Sequence, residues 1–144
     1  MTARDILERA QDARRRLKVI DAELEVMRER IGVQGHDYGA HGKYGILDPS
    51  RRVLDLIEAT EDMDAERVGL QADMEDARQL LRGVARGVSE QLAAILEYYF
   101  IDGLTPPTIA RRMHYTVELV EGAVRYSPDE LTPLLPRLMQ AGKE

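Results

Sequence analysis

Residues 6–31 read ILERAQDARRRLKVIDAELEVMRERI, and the placing of their apolar residues decides the fold. Ile6, Ala10, Ala13, Leu17, Ile20, Leu24, Met27 and Ile31 alternate at spacings of four and three, the heptad pattern that keeps one seam of a helix turned toward a partner. Arg14, Arg15, Arg16, Glu23, Glu25, Arg28, Glu29 and Arg30 occupy positions between them and give a solvated face of mixed sign. Thr2 stands where a helix N-cap belongs.

A matching seam follows downstream. Gly32 and Gly35 are expected to end the first helix, and GVQGHDYGAHGKYG (32–45), where neither helical nor strand period survives, predicts a loop over 32–48. Asp48 and Pro49 supply a cap and a first helical residue. The second helix then carries Val53, Leu56, Thr60, Met63, Arg67, Leu70, Met74, Ala77, Leu81, Val84 and Val88 in the same alternation, with Thr60 and Arg67 as polar interruptions that set register. Two such seams joined by a loop predict an antiparallel coiled-coil hairpin. Two helices alone bury a thin core, so a second copy is expected to pack on them, giving a homodimer. Gly83 and Gly87 weaken the second helix and Ser89 can cap another, which places a domain boundary after residue 87 and a second domain at 88–144.

Composition agrees with an all-α chain. Apolar residues make up 44% and charged residues 32%, enough of both for a folded, water-facing protein, while aromatics at 5% leave a core of aliphatic seams. Cysteine is absent, which excludes disulfides, thiolate metal sites and cysteine nucleophiles. His36, Asp37, Tyr38 and His41 have the chemistry of metal ligands, but a glycine-rich loop gives them no fixed geometry, so neither metal nor other cofactor is expected. Glu61 with Asp62, and Asp73 with Asp76, read as the solvated face of a charged helix, and no catalytic constellation emerges. The run Arg14-Arg15-Arg16-Lys18 reads the same way, since acids lie on neighbouring turns. The opening MTARDILERAQ has no apolar core of a signal peptide and no stretch is apolar enough to span a bilayer, so a cytoplasmic protein without membrane attachment is expected.

The second domain reads SEQLAAILEYYFIDGLTPPTIARRMHYTVELVEGAVRYSPDEL from Ser89. Leu92, Ile95, Leu96 and Tyr99 make one helical face, closed by Asp102-Gly103. Thr105 should cap a helix whose first turn holds Pro106 and Pro107 and whose inner face is Ile109, Ala110 and Met113. His114-Tyr115-Thr116 is a tight turn, and Thr116 should cap a helix bearing Val117, Val120 and Val124. These are the parts of a helix-turn-helix. Ser127-Pro128 predicts the start of a last helix with Leu131, Leu134, Leu135, Leu138 and Met139 on one face, interrupted by Pro136.

The pattern Tyr98-Tyr99-Phe100-Ile101-Asp102-Gly103-Leu104-Thr105, then Ile109-Ala110-Arg111-Arg112-Met113, then Tyr115-Thr116 with Val120, resembles a sigma-factor region-four-type helix-turn-helix over about 40 residues. With a coiled-coil region in front, the layout is similar to phage or prophage transcriptional regulators of the ArpU/RinA kind. The resemblance implies double-stranded DNA as ligand and residues 117–126 as recognition helix. The DNA-binding residues it implies are Arg111 and Arg112 on phosphate, Thr116, Val117, Glu118, Glu121 and Arg125 toward the groove, and His114 at its edge. Two positions depart from the pattern: Thr108 replaces an acid before the Ile-Ala pair, and His114 replaces a glycine in the turn.

Charge keeps a second reading open. Residues 88–144 hold five basic residues (Arg111, Arg112, Arg125, Arg137, Lys143) against eight acidic ones (Glu90, Glu97, Asp102, Glu118, Glu121, Asp129, Glu130, Glu144), a net of 5 − 8 = −3, and the whole chain carries −6. An acidic surface repels phosphate, so DNA binding is expected to be weak or assisted by a partner such as RNA polymerase. The alternative is a coiled-coil adaptor that binds proteins, polymerase or a phage packaging component, without touching DNA.

Overall fold

The computed structural model describes the backbone of residues 1–41 and 49–144, and the side chains of these except 32–41, 49 and 50. Every regular element among the described residues is helical: α1 (Ala3–His41), α2 (Pro49–Gly87), α3 (Glu90–Leu96) running into a π-helical turn (Glu97–Ile101), α4 (Pro106–Met113), α5 (Val117–Leu131), a 3₁₀ turn (Thr132–Leu134) and α6 (Leu135–Lys143). The protein is all-α. No described helix is long and apolar enough to cross a membrane.

The chain forms two compact units, one of Met1–Arg14 with Leu70–Glu144 and one of Arg15–Gly69. This division differs from the boundary expected after residue 87. α2 does end at Gly87, and the Ser89 hydroxyl caps α3 by accepting from the Leu92 amide at 3.2 Å. The preceding turns of α2 nevertheless belong with the C-terminal helices, because Gly83 is a packing glycine rather than a weak point. A Cβ at residue 83 would overlap the Leu138 carbonyl oxygen and lie 2.6 Å from its carbon, and a Cβ at Gly142 would lie 2.8 Å from the Gln79 carbonyl carbon. α2 and α6 therefore meet backbone to backbone. Side chains of α2 donate to carbonyls in the last turns of α6: Gln79 Nε2 to Met139 O at 2.8 Å, Arg82 Nε to Gly142 O at 3.1 Å, and Arg86 Nη1 to Ala141 O, the last two beyond the reach of a helical i+4 donor.

The first turns of α1 close the same unit. Thr2 and Asp5 form a reciprocal capping box, with the Thr2 amide donating to Asp5 Oδ2 at 2.9 Å and the Asp5 amide to Thr2 Oγ1 at 3.1 Å. These bonds to Thr2, backbone first, hold the Asp5 carboxyl below its ordinary range. Ile6, Ala10 and Ala13 are buried as the seam requires, joined by Ala3 and Leu7, and α2 contributes Met74, Ala77, Leu80, Leu81 and Val84. Each large aliphatic so buried stabilises the unit by about 1.5–3 kcal/mol. The seam stops at Val84, since Val88 lies beyond the helix end and is exposed. Arg4 reaches from α1 to α5 and binds Asp129 with two nitrogens, Nε to Oδ1 at 3.0 Å and Nη2 to Oδ2 at 3.1 Å. Nη2 also donates to the Arg125 carbonyl.

In the other unit Ile20 and Leu24 are buried and Leu17, Met27 and Ile31 half-buried, on the expected seam. Thr60 is buried and donates its hydroxyl within its own helix, to Ile57 O at 2.8 Å. Arg67, the second interruption, sets Nε 3.3 Å from Asp21 Oδ1. Arg16 pairs with Glu66 at 2.8 and 3.2 Å, and Arg28 with Asp64 at 3.4 Å, so charges of α1 and α2 complement each other along this stretch.

Two helix ends differ from the expectation. α1 runs past Gly32 and Gly35 to His41, because a glycine weakens a helix by about 1 kcal/mol but ends it only where the backbone turns left-handed. The rest of the expected loop, 42–48 with Asp48, and the side chains of His36, Asp37, Tyr38 and His41 lie outside the described residues. α5 continues through Pro128 to Leu131 instead of yielding to a new helix at Ser127. Proline denies the Val124 carbonyl its helical donor, but Pro128 is among the most completely buried side chains, and its packing holds the helix together. The break comes later, at the 3₁₀ turn, with Pro133 and Pro136 in first-turn positions.

Candidate nucleic-acid interface

The surface in question is carried by α4, the turn after it and α5, and their placement begins with the element before them. After Leu96 the chain adopts a π-helical turn in which the Asp102 amide donates to Glu97 O at 3.0 Å. The wider turn shifts the helical register, so that Ile101, which a regular helix with Leu92, Ile95, Leu96 and Tyr99 inward would turn outward, is buried along with Leu96 and Phe100. Gly103 ends it at φ +74, with the Leu104 amide donating back to Tyr98 O at 2.9 Å. The same glycine leaves room for Arg14 of α1, whose Nη1 would lie 2.6 Å from a Cβ there.

α4 then starts at Pro106. Thr105 occupies the cap position, but its hydroxyl pairs with the Thr108 hydroxyl at 2.9 Å rather than with a backbone amide, which corrects its expected capping role. Ile109 and Ala110 are buried with Ile95 and Val120, and Tyr98, Tyr99, Leu104, Met113, Tyr115, Val117, Ala123 and Val124 pack around them. The small side chain of Ala110 sits in this shared core of α4 and α5. His114 closes α4 in the left-handed region (φ 58, ψ 40), its amide donating to Ala110 O. The Tyr115 amide also donates to Ala110 O, at 2.9 Å. Histidine thus holds the strained position where the resembled pattern has glycine. Thr116 caps α5 by accepting from the Leu119 amide at 3.3 Å.

Of the residues singled out from the sequence, Arg111, Arg112, His114, Thr116, Glu118, Glu121 and Arg125 are exposed. Val117 is half-buried and packs against the core of Ile95, Ile109 and Val120, on the inner side of α5. Arg111 and Arg112 lie in the last turn of α4, beside the turn that leads to the capped start of α5. The Arg112 guanidinium stands 5.5 Å from the centre of the Tyr98 ring, and that of Arg125 5.5 Å from the Tyr126 ring, geometry in which the ring face attracts the cation and limits its wandering. Arg4 ties the start of α1 to α5 through Asp129 and the Arg125 carbonyl. The hydrogen bond from Arg4 holds the Asp129 carboxyl below the ordinary carboxylate range, and the same bond raises Arg4.

Three features of this surface escaped the reading of the sequence. Leu119 and Tyr126 are exposed, at 51% and 59%, and Gly122 between them faces open space, with nothing within 4 Å of where a Cβ would stand. A helical wheel centred on Val120, Val124 and Pro128 puts all three on the far side of α5, so the signal was present in the period. The Arg4–Asp129 pair joins residues 125 apart in sequence and left no local signature. Comparison of the chain with protein-family models, curated proteins and solved structures finds no match.

Proposed function

We propose that this protein is a DNA-binding transcriptional regulator of phage type, cytoplasmic and without catalytic activity, which dimerises through its long helices and meets double-stranded DNA with α4, the His114 turn and α5. The observation that carries the reading is the start of α5. Thr116 caps it in the open, Arg111, Arg112 and His114 flank it, and Glu118, Glu121 and Arg125 are exposed along it, while Ile109, Ala110 and Val120 lock the two helices together behind. A helix N-terminus that follows two arginines favours phosphate, and side chains of the first turns are those that reach base edges. The acidity of α5 makes this contact weak on its own, so RNA polymerase or another bound protein completes it.

The test is a salt-titrated binding assay of the full chain with pooled duplex DNA from its genomic neighbourhood, repeated with Arg111, Arg112 and Arg125 changed to Ala. Binding should fall with salt, and its salt slope should shrink by about 0.9 for each phosphate contact removed. Absence of binding at low salt by a folded protein refutes direct DNA recognition. One observation favours the protein-adaptor reading instead: Leu119 and Tyr126 are exposed on the same helix as Glu118 and Glu121, a mixture suited to a basic, partly apolar protein partner such as a polymerase or packaging subunit.

A further inference from the structure

We infer that α5 reads duplex DNA with hydrogen-bond acceptors and an apolar contact, selecting cytosine N4 amino groups next to thymine methyls; this rests on the DNA-binding reading above. The exposed side chains of the first two turns of α5 are Glu118, Leu119 and Glu121, and the cation Arg125 follows a turn later. An ionised carboxylate only accepts hydrogen bonds. Against guanine, whose groove edge offers N7 and O6, it would set acceptor against acceptor. The amino donors in the major groove belong to cytosine and adenine, and adenine places the acceptor N7 beside its donor, whereas cytosine does not. Glu118 and Glu121 therefore fit cytosine best. Leu119, half exposed and without polar atoms, matches the thymine methyl, the apolar feature of that groove.

Gly122 supplies the geometry. A glycine inside an exposed helix weakens it, and nothing in the fold requires one here, because a Cβ would meet only open space. It lies one turn beyond Glu118 and three residues beyond Leu119, on the outward side of α5. Without a side chain at that point the α5 backbone can come close to the base edges, which brings the short-reaching Glu118 and Leu119 within contact.

The experiment is selection of tight binders by the full-length protein from a randomised duplex pool at low salt, repeated with Glu118→Gln, Glu121→Gln and Gly122→Ala, with thermal melting as a check on folding. The wild type should enrich C·G pairs beside T·A pairs, and replacing the key cytosine should weaken binding roughly 5- to 150-fold. Glu118→Gln should move the preferred base from cytosine to adenine, because glutamine pairs with adenine N6 and N7. Gly122→Ala should melt no lower than the wild type yet bind the selected duplex roughly tenfold more weakly. An enriched motif without cytosine, or one unchanged in both glutamine variants, overturns this inference and leaves DNA binding standing. No enrichment by the folded protein at low salt overturns both.

Discussion

Gly83→Ala is the sharpest probe of how the C-terminal helices are seated. The added methyl would overlap the Leu138 carbonyl and sit 2.6 Å from its carbon, closer than the 3.0 Å below which real Cβ atoms are essentially never found. The obstacle is backbone, so no rotamer change relieves it, and α6 must back away from α2. Its retreat strains or breaks the Gln79–Met139, Arg82–Gly142 and Arg86–Ala141 hydrogen bonds, each contributing about 0.5–1.5 kcal/mol, and loosens Leu138, now 2% exposed. Overpacking itself costs about 1–3 kcal/mol. Alanine's better helix propensity returns only about 1 kcal/mol. The expected net effect is a loss of about 2–4 kcal/mol, read as a lower midpoint in urea unfolding followed by circular dichroism at 222 nm. Gly69→Ala and Gly122→Ala, where a Cβ meets nothing within 4 Å, should raise the midpoint by the equivalent of about 0.5–1 kcal/mol. If Gly83→Ala also proves neutral or stabilising, α6 does not rest on α2 as described and the close-packing argument fails.

Further expectations concern the turn, the caps and pH. His114→Gly should stabilise by up to about 1 kcal/mol by relieving the left-handed backbone, and His114→Val should destabilise by more than that, both measured by thermal melting. Thr116→Ala removes the acceptor for the Leu119 amide and should lower stability by about 0.5–2 kcal/mol, with hydrogen exchange rising first at the start of α5. Asp129 is held below its ordinary pKa by Arg4, so its contribution is complete above the unfolded-state value near ~3.9 and fades as pH falls through the lower folded value. Asp129→Asn should therefore lower the unfolding midpoint at neutral pH, with the gap to wild type closing in strong acid; a gap independent of pH would refute the pairing.

Periodicity and capping chemistry are local, and they were the parts legible in the sequence. Ile6, Ala10, Ala13, Ile20 and Leu24 are buried where the heptads put them, Ser89 and Thr116 cap the helices they precede, and Asp102-Gly103 ends its helix at a positive φ. What escaped depends on partners distant in the chain. Gly83 looks like a helix breaker until Leu138 is set against it, and Pro128 like a helix start until its burial is known. At the candidate interface, Val117 continues the Val120–Val124 face, so its half-buried position follows from the period. Leu119, Gly122 and Tyr126 carry no charge, and only the helical period, which sets them opposite the Val120–Val124 face, marks them as outward.

The joining of Met1–Arg14 with Leu70–Glu144 also bears on synthesis. The Ala3 amide donates to the Thr132 hydroxyl at 3.2 Å and Arg4 grips Asp129, so the start of α1 bonds with residues that leave the ribosome 125 to 129 positions later. At about 5–20 residues per second the opening turns wait on the order of ten seconds for those partners. The unit that carries the candidate interface therefore closes only once residues 129–132 have been made.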